Sequence, residues 1–117
     1  MYENARYVSA NCLSTSYIAD FICNEEHSIN KVMVASSRSI YGEGKYKSKS
    51  LGIIYPDSRL MTDMAKGRFE CICPDTGEDL EVLPTSEDSR IHPISTYGLT
   101  KFFQENILES ACEAKDI

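Results

Sequence analysis

Ser95-Thr96-Tyr97-Gly98-Leu99-Thr100-Lys101 has the pattern of a helix start, and the rest of the chain is read outward from it. Ser95 and Thr96 are both N-cap candidates, and an apolar-periodic run follows them. Residues four apart share a helix face, so Tyr97 and Lys101 stand one above the other. A nearby ammonium favours phenolate over phenol, which makes the pair a candidate general base working near neutral pH. The plain alternative is an amphipathic Tyr97 with its hydroxyl at the surface and a solvated helix lysine. Tyr41 and Lys45 repeat the spacing, but Gly42 and Gly44 lie between them and place that pair in a loop.

Two further stretches add weight. Lys31 to Ala35 is a short apolar run expected as a core strand, and Ser36-Ser37-Arg38-Ser39-Ile40-Tyr41-Gly42 follows it. Open α/β sheets bind ligands beyond the carboxyl ends of their strands, where these serines would sit. The serines also suit an ordinary turn. The third stretch is Asn11-Cys12-Leu13-Ser14-Thr15, ahead of a run in which Leu13, Tyr17 and Phe21 recur every four residues. That stripe predicts a helix from Tyr2 to about Glu26, packed by that face on a sheet.

Taken together, Ser36-Ser37-x-x-x-Tyr41-Gly42, Tyr97-x-x-x-Lys101 with Gln104-Glu105, and Asn11-x-x-Ser14-Thr15 resemble the extended short-chain dehydrogenase/reductase family. The likeness is to its NAD-dependent nucleotide-sugar epimerases and dehydratases, and Ser14 departs from the family's glycine. It extends over nearly the whole chain. What it implies is oxidation of a sugar hydroxyl to a transient ketone by bound NAD. Tyr97 would be the base, Lys101 would lower its pKa and bind the cofactor ribose, and Ser37 would orient the sugar oxygen. Asn11 would lie near the cofactor, although a polar residue ahead of an apolar stripe is also a common cap. The segment with Tyr41-Gly42-Glu43-Gly44-Lys45-Tyr46 looks most like the rhamnose-type branch, with the glucose/galactose-type 4-epimerases beside it. Epimerase and dehydratase outcomes stay open, as does the sugar.

The implied fold class is α/β: a partial Rossmann-like, doubly wound parallel sheet that lacks its first strands and glycine-rich turn. Neither Gly-x-Gly-x-x-Gly nor Gly-x-x-Gly-x-x-Gly occurs in the 117 residues, so the pyrophosphate cradle of a dinucleotide site is not encoded here. The expectation is a single partial domain over 1–117, with a long insert over 43–91 between the serine and tyrosine motifs. As an isolated chain it is expected to be inactive. The competing reading is a non-catalytic remnant or small interaction module.

Within 43–91 the sequence predicts a helix over Ser58 to Ala65 and a hairpin over Arg68 to Leu83, turning at Pro74-Asp75-Thr76-Gly77. Cys71 and Cys73 form only one close pair, where a structural zinc site takes four ligands, so no metal is expected. The five cysteines are odd in number and irregular in spacing, and no signal-peptide pattern is present. A reduced, cytoplasmic protein is the expectation. A net charge of -6 argues against nucleic acid and anionic membrane as partners. A nucleotide sugar, and association with itself or a complementary fragment, remain the expected partners. His27 is expected as a solvated loop residue. From Tyr97 to about Ala114 the stripe Leu99, Phe103, Ile107 and Ala111 predicts a second long helix.

Overall fold

A computed structural model describes residues 3–117. Tyr2, where the helical pattern begins, lies outside the described residues. The chain divides into two compact units, Met1–Ile40 with Ser95–Ile117, and Tyr41–Ile94.

The first unit is a helix pair. Helix α1 (Asn4–Tyr7) runs through a π-helical stretch, Val8–Leu13, into α2 (Ser14–Asn24) without leaving helical backbone. Helix α4 (Thr96–Lys115) packs against all three segments. Its N-terminus is fixed by Ser95, which is extended and accepts the Gly98 N–H on its side-chain oxygen at 3.0 Å. Its C-terminus closes on Asp116 in the left-handed region.

Ala19 and Ile22 of α2 meet Leu108 and Ala111 of α4 in the core, where Ile22 is 0% exposed. Val32, Ile107 and Ile117 pack around that cluster. The predicted stripe is therefore displaced. Leu13, Tyr17 and Phe21 point outward, Tyr17 being 64% exposed, while the neighbouring face with Thr15, Ala19 and Ile22 is buried. On α4, Leu99 and Phe103 are likewise exposed. Two packed helices bury one stripe each against the other, and here that stripe is the one with Ala19 and Ile22 on α2 and Leu108 and Ala111 on α4.

Lys31 to Ala35 forms no strand among the described residues, which corrects the expected core strand. Only Val32 reaches the core, and Met33 is 88% exposed. A strand needs a ladder, and no described strand pairs with it. His27 is also not a plain solvated residue. Its Nδ1 accepts the Ile29 N–H at 3.3 Å, so Nε2 carries the proton and donates to the Ile22 carbonyl at 2.9 Å. The ring stacks on Phe21 and closes the end of α2.

The second unit is built on turns. Strand β1 (Tyr46–Ser48) is central, with β2 (Gly52–Ile54) and β3 (Glu81–Val82) antiparallel on either side. The expected hairpin turn forms at Pro74 to Gly77, with the Cys73 N–H on the Glu78 carbonyl and the Gly77 N–H on the Cys73 carbonyl. Its arms meet only at an Ile72–Asp79 bridge. Cys71 and Cys73 are buried as the alternation predicts, but Phe69 is exposed. The helix expected over Ser58 to Ala65 is the single turn α3 (Met61–Met64).

Candidate functional site

The Ser95 cap sets Tyr97 in the first turn of α4 and Lys101 one turn later on the same face. The Tyr97 ring meets Tyr7 of α1 edge-on, with centroids 5.6 Å apart and planes at 63°, and the residue stays 38% exposed.

Between the pair, on the buried side of α4, lies Thr100. Its hydroxyl donates to the Tyr97 carbonyl at 2.9 Å and accepts from Asn11 Nδ2 at 2.9 Å. Asn11 is therefore not a cap. It sits inside the π-helical stretch Val8–Leu13, and π-turns within helices recur at functional sites because the widened turn re-aims a side chain. Here the side chain it aims is the one that docks on α4.

A second polar link runs parallel to the first. Lys101 Nζ donates to Gln104 Oε1 at 2.7 Å, and Gln104 Nε2 donates to Thr15 Oγ1 at 2.7 Å. Thr15 and Thr100 are both buried, and a buried hydroxyl left unpaired is costly. The seam between the helices is consequently satisfied by cross-helix amide–hydroxyl bonds. Asn11, Tyr97 and Lys101 are brought onto one helix pair by these links.

Ser37 belongs to the same compact unit but is held differently. Its side-chain oxygen accepts the Ser39 N–H at 3.2 Å and its carbonyl accepts the Ile40 N–H at 3.2 Å, opening the 3-10 turn Arg38–Tyr41. It does not end a strand, and among the described residues no hydrogen bond joins it to Tyr97 or Lys101. Thr15 and Gln104 stand in the motifs quoted above without a role of their own, and Thr100 stands between Tyr97 and Lys101; threonine on an otherwise apolar helix face is the signal that points to the two threonines.

A cavity of about 540 Å³ in the first unit has Lys31, Val32, Val34, Glu105, Leu108 and Cys112 among its lining residues. Tyr97 and Lys101 are not among its lining residues.

In the second unit a cavity of about 320 Å³ is lined by Arg59, Cys71 and Cys73 among others. A hydrogen bond to Cys71, helped by the Glu43 carboxylate at 3.1 Å and by Tyr46, raises the Arg59 pKa. Burial, with the Cys71 bond second, pushes the Tyr46 phenol up. The Thr76 hydroxyl, helped by the N–H groups of Thr76 and Asp75, holds the Cys73 thiol below its ordinary value. Hydrogen bonds from Ser48 and then Ser50 do the same for the Glu78 carboxyl. Among the described residues, no group of three or more His, Cys, Asp or Glu is placed to hold a metal ion. No described helix is long and apolar enough to cross a membrane.

Comparison with known proteins adds a relative. A dTDP-L-rhamnose 4-epimerase of Burkholderia thailandensis is 27% identical over 109 residues, covering 92% of this chain and 28% of that protein. The chain thus spans under a third of the length of the curated relative it matches. No protein-family model and no solved structure matches it. The similarity supports a relationship to the epimerase family.

Proposed function

We propose that this chain supplies the tyrosine–lysine helix of an NAD-dependent nucleotide-sugar epimerase in a partial Rossmann-like α/β fold. The observation that carries the reading is the start of α4. There one cap sets Tyr97 and Lys101 on a common face, and Asn11 docks on the threonine between them. The similarity to a rhamnose 4-epimerase over nearly the whole chain supports it independently.

The residues present fit one end of the cofactor. An ammonium carries three donors, and Lys101 gives one to Gln104, which leaves two for the hydroxyls of a ribose. The pyrophosphate end has no matching element, because none of the six glycines lies in a strand–turn–helix cradle. The chemistry a bound NAD supplies is reversible oxidation of the sugar hydroxyl. In that reaction Tyr97 would accept the hydroxyl proton, Lys101 would bind the ribose, and Ser37 would orient the sugar oxygen. The pyrophosphate cradle comes from outside these residues.

The test is a chimera in which this chain replaces the matched segment of the rhamnose 4-epimerase. The expected outcome is a folded chimera that retains NAD and interconverts the sugar. Tyr97→Phe in it is expected to lower turnover by roughly 10²–10⁴-fold with little change in nucleotide-sugar affinity. A folded chimera whose turnover is unaffected by Tyr97→Phe overturns the reading.

A further inference from the structure

We propose that Gln104 is a positioning residue, whose carboxamide clamps the Lys101 ammonium and anchors it to α2 through Thr15. The inference rests on reading Lys101 as the cation that meets the cofactor.

The orientation of the amide follows from chemistry. An ammonium can only donate, so the carboxamide oxygen must face Lys101, at 2.7 Å. The amide NH₂ then faces Thr15, whose hydroxyl accepts at 2.7 Å and is buried on α2. Reversing the amide would set two donors against each other at Lys101. A lysine on an open helix face samples many rotamers, and ordering it costs entropy when a ligand arrives. Here that ordering is already done by a partner on the same helix, itself held by the opposite helix. Asn11 and Thr100 tie the Tyr97 backbone across the same seam. The two residues of the pair are thus each fixed to the helix that faces them, by separate links.

The substitution Gln104→Glu would keep the clamp, since a carboxylate accepts from Lys101 and from the Thr15 hydroxyl acting as donor. Gln104→Leu would abolish it. Thr15→Val preserves shape but leaves the Gln104 N–H without its acceptor.

The experiment uses the ¹⁵N-labelled 117-residue chain and follows exchange of the lysine ammonium protons with water by ¹H–¹⁵N spectroscopy. The Lys101 signal is identified by its loss in Lys101→Arg. Hydrogen bonding to a charged donor is strong enough that Gln104→Leu is expected to speed this exchange roughly tenfold. Gln104→Glu is expected to keep exchange slow, and Thr15→Val to lie between. Equal exchange in wild type and Gln104→Leu, both with wild-type helix content, overturns the proposal. Should Gln104→Leu fail to fold, equal exchange in wild type, Gln104→Glu and Thr15→Val overturns it instead. Insensitivity of the chimera to Tyr97→Phe removes the epimerase reading and leaves the clamp standing. Unchanged exchange removes the clamp alone.

Discussion

The helical unit and the unit from Tyr41 to Ile94 are held together by different means. In the first, two helices meet through Ala19, Ile22, Leu108 and Ala111 and through threonine and amide side chains, while many of their other large apolar residues face outward. In the second, few residues sit in regular structure, and the backbone is fixed by glycine turns, serine hydroxyls and one carboxylate–hydroxyl network at Glu78. The difference shows where tolerance to change lies. The helix pair depends on a few side chains at a seam, and the turn-built unit depends on backbone conformations that only certain residues adopt.

The largest stability effect is expected at the seam. Ile22→Ala opens a cavity between α2 and α4 and should cost about 2–5 kcal/mol, read as a lowered denaturation midpoint of the helical signal. A loss well under about 1 kcal/mol would mean the helices do not pack on this face.

The matching test of the second unit is Gly42→Ala. Gly42 has φ +62°, and a Cβ there would lie 2.4 Å from the His92 carbonyl oxygen. Both strain and clash oppose the substitution, with an expected cost of about 1–3 kcal/mol. If the same denaturation experiment finds Gly42→Ala neutral, the turn at this position is not what fixes the unit.

Smaller again is Thr15→Val, at about 1–2 kcal/mol, since it strands one part-buried amide N–H and leaves packing intact. Seeing no change would move the weight of the seam from its polar bonds to its apolar contacts.

The smallest effect is a pH dependence confined to the second unit. Glu78 is held below the ordinary carboxylate range by hydrogen bonds from Ser48 and Ser50. A depressed folded pKa contributes stability above the unfolded value, and that contribution disappears as pH falls through the folded value. Stability should therefore decline as pH falls below the ordinary glutamate value of about 4.3, and Glu78→Gln should flatten the decline. An equally steep acid loss in Glu78→Gln would assign the effect to other carboxylates.

The contrast also explains what the sequence disclosed. The start of α4 was legible to within one residue, Ser95 or Thr96, because a hydroxyl cap and a four-residue spacing are local signals. The turn at Pro74 to Gly77 was legible for the same reason. Which face of α2 is buried was not. Periodicity finds the apolar stripe of Leu13, Tyr17 and Phe21, but the partner helix selects the smaller face beside it. The seam bonds Asn11–Thr100 and Thr15–Gln104 join residues 89 apart, a distance no local pattern reports. Lys31 to Ala35 has strand composition but no ladder to join, and β1 with β2 forms where the sequence suggested only punctuation. Of the candidate site, Tyr97 and Lys101 were readable as a pair, whereas the hold on Lys101 was visible only once α2 and α4 had met.

On the reading proposed above, these residues carry a tyrosine–lysine helix without a cradle for the cofactor's pyrophosphate. Calorimetric titration of NAD into a monodisperse sample of the chain tests that most directly. The expected result is no saturable heat, because two lysine N–H groups alone cannot replace the backbone donors and helix dipole of a glycine-rich turn. Tight, saturable NAD binding by the folded chain alone would contradict it.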